Sequence, residues 1–166
     1  MSGVKFSGQG LEAIFSAVEK LVQTDVLVGI PHGEDRSDSD GITNAQIGYI
    51  LETGSPAMNL PARPHLARGV ELVQDFVGMQ LSKAVDAALD GKQDRMYFYL
   101  GSAGMKATMS VKALINAGDF EALSARTIAA RKARGRKSEK PLVDTAQMRN
   151  AHTYVIMSKN EEVKRG

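Results

Sequence analysis

"PHLARGVELVQDFVGMQLSKAVDAALDGKQDRMYFYLGSAGMKATMSVKALINAG", residues 64–118, decides the fold. Leu66, Val70, Val73, Val77, Leu81, Ala84 and Ala88 recur at steps of three and four, the spacing of one face of a helix. Pro64 suits a first helical turn, where its missing N–H is no loss. One long amphipathic helix is therefore predicted from Pro64 to near Gly91. A second is predicted over 93–117, with Met96, Leu100, Ala103, Ala107, Val111 and Leu114 on one face and Gly118 as its C-terminal cap. Gly101 and Gly104 sit inside it, and each costs about 1 kcal/mol relative to Ala, so they imply that another backbone or side chain comes close. The two helices predict an antiparallel hairpin.

Shorter elements flank the hairpin. Leu11, Ile14, Phe15, Val18, Leu21 and Val22 form a helical stripe, and "DVLVGIP" (25–31) reads as a strand closed by Pro31. "HGEDRSDSDG" (32–41) is an acidic loop, and 42–54 a short helix ended by Gly54. Residues 55–63 are expected to be extended, with a short strand possible at their centre. A basic helix is predicted from Ser124 to Arg134, stopped by Gly135. Asp144 is a candidate N-cap for a further turn, and a strand runs through His152, Tyr154 and Ile156. The expected fold is α+β: a small antiparallel or mixed sheet packed with several helices. It forms one domain over 1–160, with 161–166 as a flexible tail.

The composition narrows the chemistry. The 166 residues contain no Cys, which removes disulfides and thiolate metal sites. No apolar run reaches the roughly 18 residues of a membrane span, and "MSGVKFSGQG" lacks the apolar core of a signal peptide. Residues 126–140 hold seven of the chain's 21 lysines and arginines and a single acid, Glu139. The remainder carries 14 basic against 18 acidic side chains, a net of −4. A basic cluster thus sits on a mildly acidic protein.

Catalytic patterns fail one by one. His32, His65 and His152 are far apart in sequence and belong to no metal or nucleophile motif. An EF-hand register on Gly41 puts Arg36 at its first ligand position and Ile47 at its last, which defeats calcium coordination. "GSAG" (101–104) lacks the Lys-Ser/Thr of a phosphate loop and lies within a helical pattern. The expectation is a protein that is not an enzyme, with no catalytic residues, cofactor or metal. Arg126, Arg131, Lys132, Arg134, Arg136 and Lys137 are candidate contacts for nucleic-acid phosphates or an acidic partner. No aromatic interleaves them, so base stacking is not expected. A solvated basic helix is the other reading of the same residues.

"LETGSPAMNLPARPHL" (51–66) is the remaining puzzle. Pro61 and Pro64 fix their own φ and bias their neighbours to extended backbone, so Arg63 is held with little entropy left to lose. Such an arginine suits a carboxylate or backbone acceptor on a neighbouring molecule. Equally, it suits a rigid corner in which Arg63 caps or pairs within its own subunit.

Two segments resemble a known family. "VGIPHG…NAQIGYILETGSPAMNLPARPHL" is similar to a Val-Gly strand, Asn-Ala helix, Glu-X-Gly turn and Pro-Ala-Arg-Pro-X-Leu corner in tailed-phage neck, head–tail connector or tail-completion proteins, also called virion morphogenesis proteins. "TIAARKARGRKSEKPLVDTAQMRNAHTYVI" resembles their second signature, a Lys-Pro-Leu followed by an Asp-Thr-Gly turn leading into a strand. Leu51 stands where His often precedes the first turn, Ala146 where the second has Gly. In many relatives the two signatures come in the opposite order. The resemblance implies a structural virion component at the neck, assembled in the bacterial host cytoplasm as a multi-copy ring. Its implied partners are copies of itself, portal-adaptor, connector or tail proteins, and passing phage DNA, with no membrane. Glu52, Pro61, Arg63, Pro64 and His65 are then the expected docking edge. The rival expectation is a nucleic-acid-binding accessory protein built on 126–140.

Overall fold

The structure is a computed structural model that describes residues 8–31, 41–142, 146–159 and 161–166. The described residues form seven α-helices and a three-stranded antiparallel sheet, an α+β fold. Helix α1 (Gly8–Val22) leads into strand β1 (Thr24–Gly29). Helix α2 (Asn44–Thr53) opens on a reciprocal cap, in which Thr43 Oγ1 accepts from Gln46 N–H and Gln46 Oε1 accepts from Thr43 N–H. A 3-10 turn, Pro56–Met58, follows, and the Ser55–Leu60 bridge closes it into a loop where extended chain was expected.

The predicted hairpin is present, with a break. Its first arm is two helices, α3 (His65–Glu71) and α4 (Gln74–Leu89), and its second is the single 25-residue α5 (Gln93–Ala117). At the break Val73 N–H reaches back only three residues, to Val70 C=O. Close packing explains it. A Cβ on Gly69 would lie 2.7 Å from Val111 Cα, so α3 presses its backbone onto α5. Both α3 and α4 pack along α5, and the bend lets each half do so. Neither Leu72 nor Val73 carries a sequence signal for a break.

Helix α6 (Ala125–Ala133) starts at Ser124, whose hydroxyl accepts from Thr127 N–H. The short α7 (Gln147–Ala151) precedes β2 (Thr153–Ser158). The expected N-cap, Asp144, lies outside the described residues. The residue before α7 is Ala146, at φ 61°, the left-handed region that the glycine of the resembled turn would occupy freely. Residues 161–165 are not a loose tail. They form β3 (Glu161–Arg165), paired antiparallel to β2, with Val163 as an extra residue between the partners of Ile156 and Met157. Four charged residues of five left no apolar pattern to read.

The sheet order is β1-β2-β3, so β2 is central. Val26 pairs with Ile156 and Val28 with Tyr154, and this face packs on Ala84, Ala87, Ala88, Met96 and Leu100 of the hairpin. The interior glycines are explained here. A Cβ on Gly104 would sit 2.6 Å from the Tyr154 ring, and one on Gly101 3.3 Å from its hydroxyl. The ring lies on a strip of bare helix backbone. A second core gathers Val111, Ile115, Leu142 and Met148, with Ile47, Leu51 and Leu66 against it.

Candidate functional site

The corner at 51–66 is built from inside the chain. Gly54 has φ 75°, and a Cβ there would meet Ala62 N at 2.7 Å and Leu60 O at 2.9 Å. Only glycine lets the returning strand close so tightly. Arg63 N–H then donates to Leu51 C=O at 2.7 Å. Two residues before Gly54, the Glu52 carboxylate reaches the start of α3. Its Oε2 accepts from His65 and Leu66 N–H at 2.8 Å each, and its Oε1 from Ala67 N–H at 2.9 Å. A negative charge thus satisfies three orphan donors at a helix N-terminus, thirteen residues along the chain from the first of them.

Arg63 is not presented to a neighbour. It is 4% exposed, and its guanidinium donates to the backbone carbonyls of Glu121 (3.0 Å) and Ala122 (3.4 Å). The fixed arginine ties the corner to the segment entering α6. His65 is 1% exposed. Its Nδ1 lies 3.1 Å from both Glu52 Oε2 and Arg63 O, two groups that only accept, so this nitrogen carries the proton. Pro61, Pro64 and Glu52 are half-buried. The docking-edge expectation is therefore corrected for Arg63 and His65, which are buried with their polar groups engaged within the chain.

The fold also brings together two of the three histidines. His65 and His152 meet edge to face, ring centroids 5.1 Å apart, and both are 1% exposed. His152 Nδ1 donates to Met148 C=O at 2.9 Å. Burial, with the His65 ring beside it, lowers the His152 pKa to about 4, so it is neutral at pH 7. Nothing in the spacing of 65 and 152 announces this pair, because only the approach of α3 to the start of β2 creates it. His32 lies outside the described residues. Among the described residues no three of His, Asp or Glu converge on a possible metal site, and no helix is long and apolar enough to cross a membrane.

The basic segment divides by role. Arg131 donates to the carbonyls of Ser138 (3.2 Å) and Lys140 (2.9 Å), holding the turn after α6. Lys132 pairs with Glu139 at 2.7 Å, and Lys140 Nζ donates to Asn116 C=O. Arg126, Arg134 and Lys137 are exposed, and Arg136 is half-buried. Arg126, Arg131, Arg134 and Arg136 line a cleft of about 940 Å³ together with Pro56, Met58, Asn59, Leu60 and Pro61. Its lining is mixed, including Ile47, Leu51, Leu142 and Met148 as well as Arg63. No aromatic side chain lines it, so it offers positive charge without a stacking platform.

The two segments singled out in the sequence are thus neighbours in space. Arg63 of the first binds the chain just ahead of α6, α2 packs on α7, and His65 stacks on His152. No family model, curated protein or solved structure matches the chain.

Proposed function

We propose that this chain is a structural protein of the tailed-phage neck, a connector or tail-completion subunit that acts by docking in a multi-copy ring and catalyses nothing. One observation carries the reading. The two segments that resemble the family's signatures, separated by about sixty residues, pack together through α2 on α7 and His65 against His152, and a physical need for Glu52, Gly54 and Arg63 is visible there. Gly54 permits the close return, Glu52 caps α3, Arg63 ties the corner to residues 121 and 122 just ahead of the second segment, and Ala146 takes the left-handed conformation. The motif is a recipe for a rigid shape. The buried histidines have no opening to a substrate, and neither lines the arginine cleft.

Labelling the protein in assembled particles tests this. Gold label at the junction of capsid and tail is expected, and label at the tail tip, or no label on virions, refutes it. A second reading is favoured by the exposed arginines of the cleft: a nucleic-acid-binding accessory protein. It requires duplex DNA binding by the isolated chain with a steep salt dependence, lost when Arg126 and Arg134 are replaced by Glu.

A further inference from the structure

Helix α1 is docked on the wrong side for its sequence. At 100° per residue, Leu11, Ile14, Phe15, Val18 and Val22 fall within one stripe about 100° wide. That stripe should face the core. Instead Leu11 is 47% exposed, Ile14 44%, Phe15 65%, Val18 43% and Val22 79%. The side that meets the domain carries Ala17, Lys20 and Leu21, the last being the one member of the predicted stripe that packs inward. Leu21 packs on the first core, and the Lys20 ammonium lies 5.5 Å from the Tyr97 ring centroid. The apolar stripe is turned roughly 100° from this contact side.

A second unpartnered apolar surface lies on a different element. Ile42, Ala45, Tyr49 and Ile50 line a shallow depression of about 540 Å³ on α2, and Tyr49 is 70% exposed. The two surfaces are unlike in shape. One is a convex helix face led by Phe15, and the other a shallow depression, wide open to solvent, along Ile42 and α2. A chain that carries a knob on one element and a hollow on another can join head to tail, which is the contact a ring requires.

We propose that the α1 stripe of one copy seats in the α2 hollow of the next. The proposal rests on the ring reading above and names the surfaces that build it. Area supports a second copy as the occupant. Taking roughly 170 Å² for a fully exposed large apolar residue, the α1 stripe offers about 470 Å² and Ile42 with Tyr49 about 200 Å². Specific interfaces are roughly 60% apolar, so a contact burying this surface totals about 1,100 Å². That is near the lower edge of stable association, about 1,200 Å², where a ring gains further from closing on itself.

The test uses two exposed positions whose replacement leaves both cores intact. Phe15→Asp spoils the knob, and Tyr49→Asp spoils the hollow. Sedimentation velocity of the intact chain over a concentration series is expected to show oligomers larger than two. Each variant alone, folded by circular dichroism, stays monomeric. An equimolar mixture gives a dimer and stops there, since such a pair has one good knob and one good hollow between them. A chain without cysteine allows an independent check. Phe15→Cys/Tyr49→Cys in one molecule should cross-link into a ladder on oxidation, and either single replacement should give no ladder. The proposal is overturned if the unaltered chain stays monomeric throughout, if either Asp variant assembles like it, or if the mixture remains monomeric. Variants that still enter the virion neck while failing these criteria would sink the interface and leave the neck reading standing. A dimer in the mixture with no protein on virions would do the reverse.

Discussion

Replacing Glu52 by Ala should unfold the corner from its centre. The carboxylate accepts three backbone N–H bonds at 2.8 to 2.9 Å and faces the His65 Nδ1–H at 3.1 Å. Loss of an N-cap costs about 1 to 2 kcal/mol, and loss of a negative charge at a helix start adds about 0.5 to 1 kcal/mol. Ala67 is exposed, so water replaces its bond. His65 is buried and its backbone N–H is left without an acceptor, while its Nδ1–H keeps Arg63 C=O. The sum is about 2 to 3 kcal/mol. For a domain of this size each kcal/mol moves Tm by about 2 to 4 °C, so the midpoint should fall by about 4 to 12 °C. Glu52→Gln keeps one carbonyl acceptor and should lose about half as much. Urea melts followed by circular dichroism measure this, and the slope against urea should stay unchanged. A Glu52→Ala protein within 0.5 kcal/mol of the parent would refute the capping argument, as would a loss confined to self-association in a chain of undiminished stability.

Three further outcomes follow from the same structure. Arg63→Ala removes the donor to two backbone carbonyls at a site 4% exposed and should cost about 3 kcal/mol of monomer stability, measured by denaturant melts; an unchanged midpoint with impaired assembly would restore the presented-arginine reading. Ala146→Gly relieves a Cβ held at φ 61° and should stabilise by about 0.5 to 1 kcal/mol, seen as a small rise in Tm; a fall would contradict it. His152 titrates near 4 when folded and near 6.5 when unfolded, so the unfolded chain binds more protons between those values. Its contribution is complete above pH 6.5 and is lost as pH falls toward 4, by up to about 3 kcal/mol. Urea melts at pH 7 and pH 4.5 measure the loss, and His152→Gln should lack that part of the slope.

The hairpin was legible because its apolar spacing is set by the helix itself. So were the close approaches at Gly101 and Gly104, since glycine inside a long helix needs a reason, and the Tyr154 ring supplies it. The break at 72–73 was hidden because it answers to Val111 on another helix, forty residues away. Strand β3 was hidden because its residues are charged and exposed and its pairing partner lies in β2. At the corner the sequence announced rigidity correctly. Two prolines restrict the backbone whichever way the arginine points, and its direction was decided by the carbonyls of Glu121 and Ala122, which no local pattern encodes. The α1 stripe is the opposite case: its periodicity was plain, and the expectation that an apolar face meets the core failed because the docking contact is made by Lys20 and Leu21.

The placement of β3 bears on any label used to find the protein in a particle. Gly166 N–H donates to Tyr154 C=O at 3.2 Å, and a Cβ at Gly166 would overlap the tyrosine ring. A tag whose first residue took the place of Gly166 would crowd the ring that rests on Gly104. A flexible spacer before the tag should avoid this, and a fusion without one should melt at a lower temperature than the untagged chain.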